Sequence, residues 1–136
     1  AHKNNLPLFI NARTDVYWTN SISSEKRYEE TLRRFVAYKE AGADGLFVPG
    51  LTDVSLITRL SSETQLPINI LGGIWITSLD TLRNKGVARV SIGSGIFRAA
   101  VTYTQHAYRQ FIRDDFSFLR DSLSYEAINS LYARKS

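Results

Sequence analysis

Apolar residues recur along this chain at two spacings. Four short continuous runs, Leu6–Ala12, Gly45–Pro49, Leu66–Leu71 and Val87–Ile92, have the length and the Ile, Val and Phe content of buried strands. Elsewhere the apolar positions fall at helical intervals: Tyr28, Leu32, Phe35 and Val36; Leu56, Ile57 and Leu60; Leu79 and Leu82; then Ala100, Tyr103, Ala107 and Phe111. Boundary residues agree with these assignments. Ser23 or Ser24 can cap the first helix, with Glu25 in its first turn, and Gly42 ends it. Thr52 or Asp53 caps the second; Ser78 caps the third, which Gly86 closes. A long helix is predicted from Ile96 to Ile112, broken at Asp114-Asp115, and a last one over Tyr125–Ala133 behind Ser124. The order is β-α-β-α-β-α-β-α-α.

Strands that are apolar rather than alternating fit a parallel sheet buried on both faces, and alternating strands and helices fit α/β architecture. In such folds ligands sit beyond the carboxyl ends of the strands. Those ends carry Arg13-Thr14-Asp15, Pro49-Gly50, Gly72-Gly73 and Gly93-Ser94-Gly95. Arg13 offers a planar fork of donors matched to a carboxylate or phosphate. Asp15 shares its strand parity and can orient it or touch a metal-bound water; the pair can equally be a structural salt bridge. The two glycine loops would present backbone N–H groups that can cradle a phosphate, or simply make tight turns. Tyr17 and Trp18 can roof a pocket or pack their loop against the rim.

Composition narrows the function classes. The 136 residues amount to one domain at most, with 43% apolar and 22% charged residues, which excludes intrinsic disorder. No apolar run reaches the roughly 20 residues of a membrane span, and the start does not read as a signal peptide, so the cytoplasm is the default location. The absence of cysteine removes disulfides, zinc fingers, iron–sulfur sites and thiol nucleophiles. Net charge is +4, but the basic residues between Glu25 and Glu40 alternate with acidic ones, as on a solvated helix face, so no nucleic-acid partner is expected. His2 and His106, the two histidines, lie away from the strand ends, and Ser94 has no histidine partner for a hydrolase triad.

The segments Ile10–Asp15, Tyr38–Gly50 and Gly86–Gly95 closely resemble the isocitrate lyase/phosphoenolpyruvate mutase superfamily, and the match runs from Leu6 through nearly the whole chain. The resemblance implies the C-terminal half, strands 5 to 8 with their helices, of a (β/α)8 TIM barrel of parallel strands. Residues 1–113 would form this half-barrel and 114–136 a C-terminal helical extension. It implies an enzyme that cleaves or forms C–C or P–C bonds in 2-oxo-acid or phosphonate substrates with Mg²⁺, whose ligands would lie outside this chain. By resemblance Arg13 is the catalytic arginine that grips the substrate carboxylate or phosphonate. Asp15, Asn69, Gly72 and Gly73, with Gly93 and Ser94, complete the substrate-binding set. Pro49 stands where mutases carry a histidine and methylisocitrate lyases a glutamate, and Leu71 near where lyases carry an asparagine.

Four parallel strands cannot close a barrel and leave two exposed edges. With no methionine and a start at Ala1, the expectation is a chain cut from something longer, whose partners are the missing N-terminal half-barrel and a second copy joined through the C-terminal helices. Half a site without its cation should be inactive. Two other readings stand beside this one: a different phosphate-binding barrel enzyme using the two glycine loops, and a non-catalytic half-barrel kept for assembly.

Overall fold

The computed structural model describes residues 7–19 and 21–133; His2 and Leu6 lie outside the described residues. By contact the chain divides into two compact units, Ala1–Gly93 and Ser94–Ser136.

The first unit is a four-stranded parallel sheet in the order β1-β2-β3-β4. Its strands are β1 (Asn11–Arg13), β2 (Gly45–Phe47), β3 (Ile68–Leu71) and β4 (Val87–Ser91). Helices α1 (Arg27–Glu40), α2 (Val54–Thr64) and α3 (Leu79–Arg83) connect them. The expected α/β architecture with parallel strands is thus present, and β1 and β4 are its edges. The core lies on one face of the sheet, where Leu46, Val48, Ile68 and Ile70 pack with Phe35 of α1 and Ile57 and Leu60 of α2, all of them fully buried.

Register explains how β4 contributes to that face. Ile68 pairs with Val87 and Ile70 with Val90, so one more residue lies between the two valines than between the two isoleucines. The bulge at this step lets residues three apart in β4 both serve the core. The alternate residues, Arg13, Phe47, Asn69 and Arg89, are register partners in one row on the opposite face. No helix of the first unit packs on that row: Arg89 is exposed and Phe47 half-buried, although Asn69 is buried. Within the first unit the described helices therefore pack on one face of the sheet, not both as the apolar runs suggest.

The first strand is shorter than its apolar run. Pro7 has no N–H to give a ladder, and the Ile10 N–H donates to Asp44 Oδ2 at 2.7 Å while its carbonyl accepts from Asp44 and Gly45. Phe9, expected in the core, is 63% exposed. On α1 the buried stripe is Tyr28, Thr31 and Phe35, with Val36 exposed instead of inward. The stripe follows i, i+3, i+7 spacing and lies one residue to the side of the expected line. Leu79 likewise points outward, and Leu82 alone of α3 is buried.

Caps fall where the residue types place them. Asp53 Oδ1 accepts from the Ser55 and Leu56 N–H groups, and the Ser78 and Ser124 hydroxyls accept from Thr81 and Ala127. Gly42, at φ +91°, closes α1 with paired bonds from its own N–H to Lys39 and from Ala43 to Tyr38. The first helix begins differently: a 3₁₀ turn over Ser24–Lys26 leads into it, and Ser23 makes no side-chain cap bond.

The second unit holds α4 (Gly95–Phe111) and α5 (Tyr125–Tyr132), neither of which buries a residue. The chain turns at Asp114, φ +58°, and is tied internally by the Tyr103 hydroxyl donating to the Phe118 carbonyl and by edge-on Phe111 and Phe116 rings. No helix among the described residues is long and apolar enough to cross a membrane.

Two outcomes follow from this packing. Ile70→Ala should cost about 2–5 kcal/mol, read from the urea midpoint at unchanged m-value; a cost below ~1 kcal/mol would mean the sheet–helix core is not the stabilising element. On α1, hydrogen bonds from Arg33 and Arg34 hold the Glu30 carboxyl down to about 2. A depressed carboxyl stabilises the fold above its unfolded value of 4.5 and loses that contribution as pH falls toward 2. Wild type should therefore lose stability across this interval more steeply than Glu30→Gln, in acid titrations followed by circular dichroism.

Candidate functional site

The site is built from the helix-free row at the carboxyl end of β1. Arg13 is the last residue of that strand, and its neighbour Thr14 continues the ladder by donating to the Phe47 carbonyl at 3.0 Å. The chain then turns: the Trp18 and Thr19 N–H groups both donate to the Asp15 carbonyl at 2.9 Å. The turn leaves the Asp15 carboxylate beside Arg13, whose Nε–H donates to Oδ1 at 2.7 Å. Asp15 is thus paired with Arg13, the contact that both the orienting and the structural salt-bridge readings require.

Both members of this pair are about half exposed, 48% and 46%, so the pair contributes on the order of 0–1 kcal/mol to stability. Its consequence is geometric. The guanidinium lies over the Phe47 ring, 5.4 Å from Cζ to the ring centroid. With Nε engaged, the two Nη groups have no hydrogen-bond partner among the described residues. They make a fork of four N–H donors on a side chain that is half exposed. That is the geometry in which arginine binds a carboxylate or phosphonate through two parallel hydrogen bonds.

The turn that carries Asp15 rests on Gly50. This residue sits at φ +85°, and a Cβ there would stand 2.6 Å from the Tyr17 carbonyl oxygen. Tyr17 itself is half-buried against the core, and burial raises its hydroxyl above the usual range, with the Arg27 charge opposing and Asp53 reinforcing. It stays protonated at neutral pH and packs the loop, while Trp18 is 58% exposed.

The other expected residues divide. Asn69 is buried in the same row as Arg13; its Oδ1 accepts from the Ser91 hydroxyl at 3.0 Å, and its Nδ2 has no partner among the described residues. Gly72 does not offer a free N–H, because that group donates to the Ser91 carbonyl at 2.7 Å and extends the β3–β4 ladder. Gly73 opens a turn closed by the Ile76 N–H. Gly93, at φ +57°, ends the first unit, and Ser94 is the N-cap of α4, its hydroxyl making no cap bond. His106 is an exposed residue of α4. Pro49, two residues beyond β2, is buried and Leu71 half-buried; neither side chain carries a titrating group.

Phe47 was not singled out by sequence, yet it is the ring beneath Arg13. Strand parity could have found it: it is the residue of β2 in register with Arg13. A hollow of about 340 Å³ on this face, lined in part by Phe9, Asn11, Asn69 and Arg89, does not include Arg13. We place the site at Arg13 because directed, unsatisfied donors recognise an anion, whereas that hollow runs along the strand starts. Among the described residues no group of three or more His, Asp or Glu side chains is arranged to hold a metal ion.

The first unit is a parallel α/β sheet of the kind whose ligands sit beyond the carboxyl ends of the strands, and Arg13 stands at one such end. Comparison with known proteins makes this specific. The family model described as phosphoenolpyruvate phosphomutase matches residues 1–112, and the chain belongs to this family, within the isocitrate lyase/phosphoenolpyruvate mutase superfamily. It is 37% identical over 105 residues to an uncharacterized protein of Mycobacterium tuberculosis, covering 77% of this chain and 39% of that one. It is 33% identical over 103 residues to 2-methylisocitrate lyase of Salmonella typhimurium, covering 73% and 33%. A crystal structure from Burkholderia cenocepacia, assigned provisionally as a lyase/mutase, superposes with a TM-score of 0.85 at 32% identity, covering 98% of this chain and 48% of that one. The chain thus spans less than half the length of these relatives.

Gly50→Ala should destabilise the chain by at least about 1 kcal/mol, from the left-handed backbone and the blocked approach of Tyr17. Wild-type stability in urea for this variant would show that the Asp15 turn does not depend on Gly50.

Proposed function

We propose that this chain supplies the substrate-gripping half of a lyase or phosphonomutase-like barrel enzyme acting on 2-oxo-acid or phosphonate substrates. The observation that carries the reading is Arg13: its Nε is occupied by Asp15 and its Nη fork is open at the carboxyl end of β1. In this role the fork binds one acidic group of the substrate, Asp15 holds the fork's angle, and Asn69 offers a further donor from the same row. Residues 1–113 act as the C-terminal half of a (β/α)8 barrel, with 114–136 as a helical extension. The free edges of β1 and β4 support closure by further strands, because open edges of a parallel sheet invite pairing.

The described residues do not fit a Mg²⁺ site, and the one carboxylate beside Arg13 is already committed to it. If the complete enzyme uses Mg²⁺, its ligands belong to the other half. Pairing of copies through the C-terminal helices is supported by α4 and α5, which bury nothing in this chain.

Calorimetric titration of the chain with oxalate tests the anion site. Arg13→Ala should weaken binding about 10- to 100-fold, the range for a charge-assisted bidentate pair, and Arg13→Lys should not restore it, since an ammonium lacks the planar fork. Equal affinity in wild type and Arg13→Ala would overturn the reading. The purified chain alone should show no turnover of C–C or P–C bonds with Mg²⁺ added; measurable turnover would contradict the half-site assignment.

A further inference from the structure

Arginine is a long side chain, and a single exposed ion pair leaves it rotational freedom about the bond it makes. Asp15 restrains Nε and nothing beyond it. The guanidinium plane is restrained by a second contact, the Phe47 ring 5.4 Å below Cζ. The contact is set by register, because Arg13 and Phe47 are paired residues of adjacent strands and project on the same side of the sheet. Phe47 is half-buried and lies outside the group of fully buried side chains that forms the core. We infer that Phe47 is a positioning residue: its ring and the Asp15 carboxylate together fix the Arg13 guanidinium in plane and angle, so that the Nη fork is presented ready-made to an anion. The inference rests on the reading of Arg13 as the anion-gripping residue.

Arginine side-chain NMR of the complete 136-residue chain tests it, with oxalate as the probe ligand. In the ligand-free chain the Arg13 Nε–H should give a distinct signal, slowed in exchange by Asp15 and displaced upfield by the Phe47 ring. Phe47→Leu should remove the upfield displacement and weaken oxalate about 2- to 5-fold, the equivalent of an exposed cation–π contact, with the thermal midpoint unchanged. Phe47→Tyr should restore both signal and affinity, which a merely structural role of the ring would not require. If Phe47→Leu fails to fold, the wild-type signal decides: an Arg13 Nε–H at its solvent-exposed position overturns the inference. Loss of oxalate binding in Arg13→Ala, together with unchanged signal and affinity in Phe47→Leu, would overturn the role of Phe47 and leave the anion site standing. Oxalate binding that ignores Arg13→Ala would overturn the anion site, and the ligand-free signal would still judge the positioning.

Discussion

Successive residues of a strand face opposite ways, and in this sheet the alternation separates packing from chemistry. Leu46, Val48, Ile68 and Ile70 turn to the helices and are fully buried. The residues between them, Phe47 and Asn69, stand in line with Arg13 and Arg89 on the other side. Everything else depends on this division. The apolar face fixes the strands and their register, and the register places an aromatic ring under an arginine. The bulge in β4 preserves the division where the sequence spacing would break it, since without the extra residue Val87 and Val90 could not share one face.

The site shows how little energy is needed to direct a side chain once the frame is rigid. Neither the half-exposed ion pair nor the ring contact contributes much to stability, each on the order of 1 kcal/mol or less. Acting at two points of the same guanidinium, they set its direction while leaving its Nη donors unused. A donor fork held in place before the ligand arrives binds without the ordering cost that a free arginine carries. The turn behind Asp15 is held in turn by Gly50, a position where only glycine fits both the backbone angle and the approach of Tyr17.

Much of this was legible in the sequence. The four runs, the caps at Asp53, Ser78 and Ser124, and the Gly42 stop are local signals, and local physics determines them. Arg13 and Asp15 stood out through charge at a strand end. What escaped was tertiary. The exposure of Phe9 follows from Pro7 and from the Asp44 carboxylate taking the Ile10 N–H, a contact 34 residues away in sequence. The one-sided burial of the sheet could not be read from apolar runs, because a half-buried Phe47 and a buried Ile look alike in a hydropathy pattern. Gly72 looked like a free donor and proved to be a ladder residue, since pairing of β3 with β4 extends one residue past the run.

The most direct test of the account is a crystal structure of the chain soaked with oxalate. Electron density for the anion should lie end-on to the Arg13 Nη groups, with Asp15 still holding Nε and the Phe47 ring beneath the guanidinium. Oxalate seated on the Gly72-Gly73 or Gly93-Ser94-Gly95 backbone, with Arg13 turned away from it, would contradict the central claim and favour the phosphate-cradle reading.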